Sequence, residues 1–137
     1  MNKGQFRFAY FTAEYESTVA FYRDGLEFAV LNSWDRGPDD RGTLFSAASG
    51  FIEVLARPGS GAARDLGDDR PPQGAFMVIE MADLRQTYLK CVKKKLFIQQ
   101  ELTVQPWGHL SFSLKDPNGL TVYLFSAISG PQSREQP

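Results

Sequence analysis

A single cysteine, Cys91, and a single histidine, His109, stand in a chain of 137 residues. One thiol can form no disulfide within the chain and no cysteine-built zinc site, so nothing in the sequence asks for an oxidising compartment. One imidazole rules out a mononuclear centre with two histidine ligands unless a second copy of the chain supplies the other. Net charge is equally scarce. The 15 Lys and Arg against 16 Asp and Glu leave a formal −1 at pH 7, and the broad positive field that grips phosphate backbones is missing. Apolar runs fall short of the ~18 residues a membrane-spanning helix needs, and the opening MNKGQFRFAYF lacks the apolar stretch and small-residue cleavage site of a signal peptide. The sequence therefore predicts a soluble cytoplasmic protein with neither nucleic acid nor membrane as partner. Absent too are GxSxG, the P-loop, HExxH, a dinucleotide fingerprint and EF-hand spacing.

Aromatic side chains are plentiful, with 11 Phe, 5 Tyr and 2 Trp in a sequence that is 42% hydrophobic, enough to build the core of one domain. Gln5 to Thr12 alternates as a strand does. Glu14 to Gly25 follows with helical spacing, its Tyr15, Val19 and Tyr22 sharing a stripe with Leu26, and Gly25 serving as a helix stop. Three strands are expected next, over Glu27–Trp34, Thr43–Ala47 and Phe51–Arg57. Residues 58–73, PGSGAARDLGDDRPPQ, are dense in Gly, Pro and charge and read as a connecting arm. Its Asp65, Asp68 and Asp69 mix with Arg64 and Arg70 as a solvated stretch.

The pattern then returns. A strand is predicted over Ala75–Met81, a helix over Asp83–Lys95 with Leu84, Tyr88 and Cys91 on one face, and strands over Ile98–Val104, Trp107–Lys115 and Leu120–Ser126. The last two are separated by the turn Asp116-Pro117-Asn118-Gly119. One shift places Glu14 on Asp83, Tyr15 on Leu84, Phe28 on Phe97 and Gly50 on Gly119, so element order repeats although identity does not. The expectation is an α+β fold of two βαβββ modules, 5–57 and 74–127, in a single domain 1–127 with a flexible tail at 128–137. Lys93-Lys94-Lys95 reads as a solvated helix end, and Cys91 as a buried structural thiol.

The segments FRFAYFTAEYESTVAFYRDGLEF (Phe6–Phe28), SGFIEVLARPG (Ser49–Gly59), MVIEMADL (Met77–Leu84) and QPWGHLSFSLKDPNGLTVYLF (Gln105–Phe125) together resemble the vicinal oxygen chelate superfamily of glyoxalase I, bleomycin-resistance proteins and extradiol dioxygenases. The resemblance implies paired modules forming a cupped eight-stranded cleft, a homodimer, and, in metal-using members, ligands on the first and last strand of each module. Those positions fall here on Arg7, Glu53, Phe76 and Tyr123. Arg is permanently cationic, Phe has no lone pair and neutral Tyr is a poor ligand, so the residue types argue against a metal and no cofactor is expected.

Strand parity sets Leu110, Phe112 and Leu114 toward a helix and leaves Trp107, His109, Ser111 and Ser113 on the other face. His109 is then either a polar-face residue without a role or a proton acceptor for a ligand. Arg7, with Ala9 and Phe11, faces away from Phe6, Phe8 and Tyr10, either as the buried partner of Glu53 or as a grip on a ligand oxygen. Among aromatics with plausible parity (Phe11, Phe51, Phe76, Tyr123, Phe125), Trp34 at the edge of the polar loop SWDRGPDDRG and Trp107 at a strand entrance are the best placed to stack on a planar ligand. The candidate ligand-binding set is Arg7, Phe11, Trp34, Glu53, Phe76, Trp107, His109 and Tyr123, with no catalytic residue. The expected function is metal-independent binding and sequestration of a planar or amphipathic small molecule, as in bleomycin resistance. The alternatives are a metal-dependent lyase, isomerase or dioxygenase of the same superfamily, and a non-catalytic scaffold or regulatory subunit.

Overall fold

The computed structural model describes residues 4–59 and 70–128. The chain divides into two compact units, the first reaching to Gln73 and including Pro117–Gly119, the second running from Gly74 to Asp116 and on from Leu120. Each is a four-stranded mixed sheet with its own helix.

Unit one contains β1 (Arg7–Thr12), α1 (Tyr15–Ala20), a π-helical turn (Phe21–Gly25), β2 (Ala29–Asp35), β3 (Arg41–Ala47) and β4 (Gly50–Ala56). The strands lie in the order β1-β4-β3-β2, with β1 parallel to β4 and the remaining pairs antiparallel. The pleat sorts its residues as the alternation predicts. One face carries Tyr10, Ile52, Val54 and Phe45, all buried, and packs on the helical segment through Tyr22, whose ring lies 5.8 Å from Phe45 and 6.3 Å from Phe28. Burying such rings supplies most of the driving force for closing the unit.

The helix departs from the sequence expectation at its second half. Leu26 N–H donates to the carbonyl of Phe21 at 2.9 Å and Phe28 N–H to that of Tyr22 at 3.0 Å, a widened turn that adds a residue to the helix end. The left-handed reversal consequently falls on Glu27, with φ 62°, and not at Gly25. The widening brings Phe21 and Tyr22 into an edge-to-face pair at 4.9 Å.

The start of α1 is held by a buried polar ring. Thr12 Oγ1 donates to Asn118 Oδ1 at 2.5 Å, Asn118 Nδ2 donates to Thr18 Oγ1 at 3.0 Å, and the two threonine hydroxyls lie 3.3 Å apart. With Thr12's proton spent on Asn118, Thr18 donates back to Thr12, so each hydroxyl gives one bond. Glu14 N–H also donates to Thr12 Oγ1 at 2.8 Å. Glu14 itself makes no side-chain cap, and this bond to Thr12 meets the exposed amide instead.

Unit two contains β5 (Phe76–Glu80), α2 (Leu84–Lys93), β6 (Ile98–Val104), β7 (His109–Lys115) and β8 (Thr121–Ala127), in the order β5-β8-β7-β6. Asp83 caps α2 by accepting from Gln86 N–H at 3.3 Å, Lys90 and Lys93 occupy its last turn where cations suit the dipole, and the chain reverses at Lys95, φ 60°. Leu84 and Cys91 are buried with Met77, Ile79, Phe112, Leu114, Val122 and Leu124, and Tyr88 meets Phe112 edge-on at 5.0 Å. The predicted turn forms: Asp116 N–H donates to the Leu120 carbonyl, Leu120 N–H to Asp116 Oδ1, and Gly119 takes φ 82°.

The repeat survives in three dimensions, since the starts of β1, α1 and β2 at Arg7, Tyr15 and Ala29 correspond to those of β5, α2 and β6 at Phe76, Leu84 and Ile98. Most of the arm (60–69) and nearly all of the tail expected at 128–137 lie outside the described residues.

Replacing Asn118 by Ala removes one acceptor and one donor from the buried ring and leaves Thr12 and Thr18 to satisfy each other alone. Thermal or urea unfolding of Asn118→Ala is expected to show a loss of about 1–3 kcal/mol. A loss below a few tenths would show that the ring does not hold α1.

Candidate functional site

Each sheet has a second face, away from its helix, and strand register shows what stands there. In unit one Arg7 pairs with Phe51, Ala9 with Glu53 and Phe11 with Leu55, while Leu55 pairs with Gly42 and Gly42 with Trp34. Directly opposed residues share a side of the sheet, so Arg7, Phe11, Trp34 and Glu53 all belong to this open face. Arg7 and Glu53 are diagonal neighbours on adjacent strands, and Arg7 Nη1 donates to Glu53 Oε2 at 3.2 Å. Arg7 Nε donates to Gln5 Oε1 at 2.7 Å.

The sequence reading set Arg7 on a buried floor. The structure instead leaves its side chain 41% exposed, against 19% for Glu53, because β1 is an edge strand. A pair this wet contributes about 0–1 kcal/mol to stability, so its interest lies in what else the guanidinium can hold.

Trp34 lies near the end of β2, one residue before its last, Asp35, where the expected strand Glu27–Trp34 set it. Its indole lies across Gly42, where a Cβ would overlap the ring, and the Arg36 guanidinium sits 5.9 Å from its centroid. Glycine is required at 42 because the indole occupies the space of its missing side chain.

In unit two the open face carries Phe76 and Val78 of β5 opposite Thr121 and Tyr123 of β8, with Phe125 beyond and Ser111, Ser113 and His109 from β7. Phe76 and Tyr123 are diagonal neighbours, the same relation that joins Arg7 and Glu53. His109 stacks on Phe125 at 3.9 Å with the planes 15° apart. Trp107 precedes β7 in a turn closed by Gly108 N–H donating to the Gln105 carbonyl, which corrects the expected strand start: the left-handed Gly108, φ 90°, breaks the strand.

From that turn the indole reaches back. Trp107 Nε1 donates to His109 Nδ1 at 3.2 Å and to the Tyr123 hydroxyl at 3.3 Å, and that hydroxyl lies 3.2 Å from the same Nδ1. An indole N–H can only donate, so Nδ1 is an acceptor and the neutral ring carries its proton on Nε2.

Beneath the rings is a polar floor that the sequence reading did not identify. Gln105 Nε2 donates to Ser111 Oγ at 3.0 Å, while Ser113 Oγ and Thr121 Oγ1 both donate to Gln99 Oε1 at 3.1 Å. Isolated glutamines in a strand and a turn carry no spacing signal. Only the alternation of Ser111 and Ser113 with apolar residues hinted at a polar layer.

Phe76, Val78 and Trp107 remain 61%, 54% and 47% exposed, large apolar groups held open to solvent on or beside one face. The structure thus brings Trp107, His109 and Tyr123 together in unit two and Arg7 and Glu53 together in unit one. Phe11 shares the latter face, and Phe76 the former.

Residues 4–124 match the Glyoxalase/Bleomycin resistance protein/Dioxygenase superfamily. The chain belongs to that superfamily. Solved structures agree on the fold. TioX from Micromonospora sp. ML1 is similar at TM-score 0.71 and 13% identity, over 91% of this chain and 99% of that one. A superfamily member from Sphaerobacter thermophilus DSM 20745 gives 0.68 and 16%, over 91% and 98%. TnmS3, an antibiotic binding protein from Streptomyces sp. CB03234, gives 0.66 and 14%, over 92% and 97%. No curated protein matches the chain. Among the described residues no helix is long and apolar enough to cross a membrane.

The metal that some superfamily members use does not fit the donor set here. Of the four positions the resemblance assigns, Glu53 alone is a ligand type, and its carboxylate already accepts from Arg7. A cation placed there would face a fixed guanidinium.

Removing the imidazole leaves Trp107 Nε1 with the Tyr123 hydroxyl as its one remaining partner of the two. In a Trp34→Phe background, where Trp107 is the sole indole, His109→Ala should shift the emission to the red as the ring gains water, and an unchanged emission would break the link.

Proposed function

We propose that this superfamily member is a metal-independent small-molecule binding protein that sequesters a planar or amphipathic compound. The observation that carries the reading is the occupancy of the four ligand positions: Arg7 bonded to Glu53 in unit one, and Phe76 beside Tyr123 in unit two. Charge neutralisation replaces cation coordination in the first, and aromatic surface replaces it in the second. A planar ring system can stack on the exposed aromatic face around Trp107, Tyr123 and Phe76, where apolar contact contributes about 25 cal/mol per Å² removed from water. Arg7 uses Nε and Nη1 on its neighbours among the described residues. Its remaining N–H groups are available to an anionic or carbonyl oxygen. The fold likeness to TnmS3, an antibiotic binding protein, supports the choice of compound class. As its working form we propose a homodimer, which light scattering at micromolar concentration tests directly.

Titration with a panel of aromatic antibiotics should quench tryptophan emission saturably. Trp34→Phe and Trp107→Phe report which unit's face takes the compound. Arg7→Ala is expected to weaken binding by about 1.5–3 kcal/mol, the range for a charge-assisted hydrogen bond, with Arg7→Lys recovering part of it. Protein purified without chelator should contain no stoichiometric metal. Zinc, nickel, iron or manganese whose removal abolishes an activity would replace this reading with the enzymatic one.

A further inference from the structure

Where β1 and β4 end, unit one holds a cavity of about 470 Å³ lined by Thr12, Ala13, Tyr15, Arg41, Ala56, Arg57, Pro58 and Gly59. None of these residues belongs to the open-face set described above. Two guanidiniums border the cavity, and they differ in how they are satisfied. Arg41 Nη2 donates to Glu16 Oε2 at 2.7 Å, and its Nε lies 3.3 Å from Asp35 Oδ2 without hydrogen-bonding geometry. Its Cζ sits 4.5 Å from the Tyr15 ring centroid. The Glu16 hydrogen bond is the main reason its pKa rises above the ordinary value, so the charge of Arg41 is already met and Tyr15 is pinned beside it.

Arg57 stands differently. Its backbone N–H donates to the Thr12 carbonyl at 2.9 Å, which extends the β1–β4 ladder by one bond and fixes its position. Its side-chain Nε is buried and has no hydrogen-bond partner, and no carboxylate pairs with it, among the described residues. A buried, permanently charged donor without an acceptor is rare in folded proteins and asks for one. Arg41 Nε is also unbonded, but its guanidinium already pairs with Glu16 and Asp35, and three further polar groups at the rim are spent. Tyr15 Oη is bonded to Thr43 Oγ1 at 2.6 Å, Thr12 Oγ1 to Asn118, and Gly59 N–H to Asp39 Oδ1 at 2.6 Å. The unmet demand at this cavity is therefore for an acceptor carrying negative charge, directed at one guanidinium.

We propose that this cavity is a second binding site, for the carboxylate or phosphate group of a small organic anion whose oxygens accept from Arg57. The cavity is several times the size of a lone oxyanion, and the Tyr15 ring and Ala13, Ala56 and Pro58 give its remainder an apolar lining suited to a short organic body.

The test is calorimetric titration of the full chain with inorganic phosphate and, separately, with succinate, at fixed ionic strength in an anion-poor buffer. At least one should bind saturably, and which one does so separates the phosphate from the carboxylate source. Arg57→Gln should weaken that binding about tenfold or more, tenfold being ~1.4 kcal/mol, with an unchanged circular dichroism spectrum. Arg57→Lys, which keeps the charge but not the fork, should fall between. Arg23→Gln removes the same charge from an exposed pair with Asp24 and should bind as the wild type does. Failure of both anions to saturate, equal affinity in Arg57→Gln, or an equal loss in Arg23→Gln overturns the proposal. Binding gained only in Asp65→Asn/Asp68→Asn/Asp69→Asn also overturns it, because Arg57 would then already be held by the chain's own carboxylates.

Discussion

Two-residue alternation along the strands, interrupted by register shifts in β2 and β6, is the constraint on which the molecule depends. Each unit is too small to bury two sheet faces with one short helix. It therefore commits one face to its helix, Tyr10, Phe45, Ile52 and Val54 in the first and Phe112, Leu114, Val122 and Leu124 in the second, and the other face carries Arg7 and Glu53 in the first and Phe76 and Tyr123 in the second. A slip of one residue in β1 would exchange its two sets and put Arg7 under the helix, and the same slip in β4 would do so to Glu53. The same parity that stabilises the fold thereby decides which side chains stay available for chemistry.

What occupies the faces away from the helices distinguishes the two units from each other. Duplicated modules repeat a geometry, not a residue type: Arg7 with Glu53 and Phe76 with Tyr123 stand in the same diagonal relation on corresponding strands. One copy has become a wet ion pair and the other an aromatic step. Because the pair holds two opposite charges in contact, that face is close to neutral. The aromatic step in unit two continues into Trp107, His109 and Phe125, so the two faces offer a ligand different things.

Fold and repeat were legible because they follow from periodicity. Ile98–Val104 is found with the boundaries the sequence predicts, and the Asp116–Gly119 turn forms where its Pro, Asn and Gly require it. Placement of the candidate residues on faces was legible for the same reason. Other features depend on tertiary context that no spacing encodes. The π-helical turn at Phe21–Gly25 accompanies the edge-to-face seating of two adjacent aromatic rings, the exposure of Arg7 follows from β1 lying at a sheet edge, and the return of Trp107 toward Tyr123 from the left-handed Gly108. Gln99 and Gln105 escaped because a glutamine bonding to a serine leaves no trace in composition. Arg57 escaped because a donor unmet among the described residues is visible only once its neighbours there have been placed.

The ring of Thr12, Asn118 and Thr18 spans 106 and 100 positions of sequence. During synthesis the strands and helix of unit one leave the ribosome long before Asn118 does, so until then the Thr12 and Thr18 hydroxyls have only each other, the Glu14 amide and water as partners. Long-range closure of this kind slows folding. It also makes the first unit's N-terminal stretch, alone, a poor candidate for independent expression, since the residue that completes it lies 100 positions beyond Thr18 in the chain.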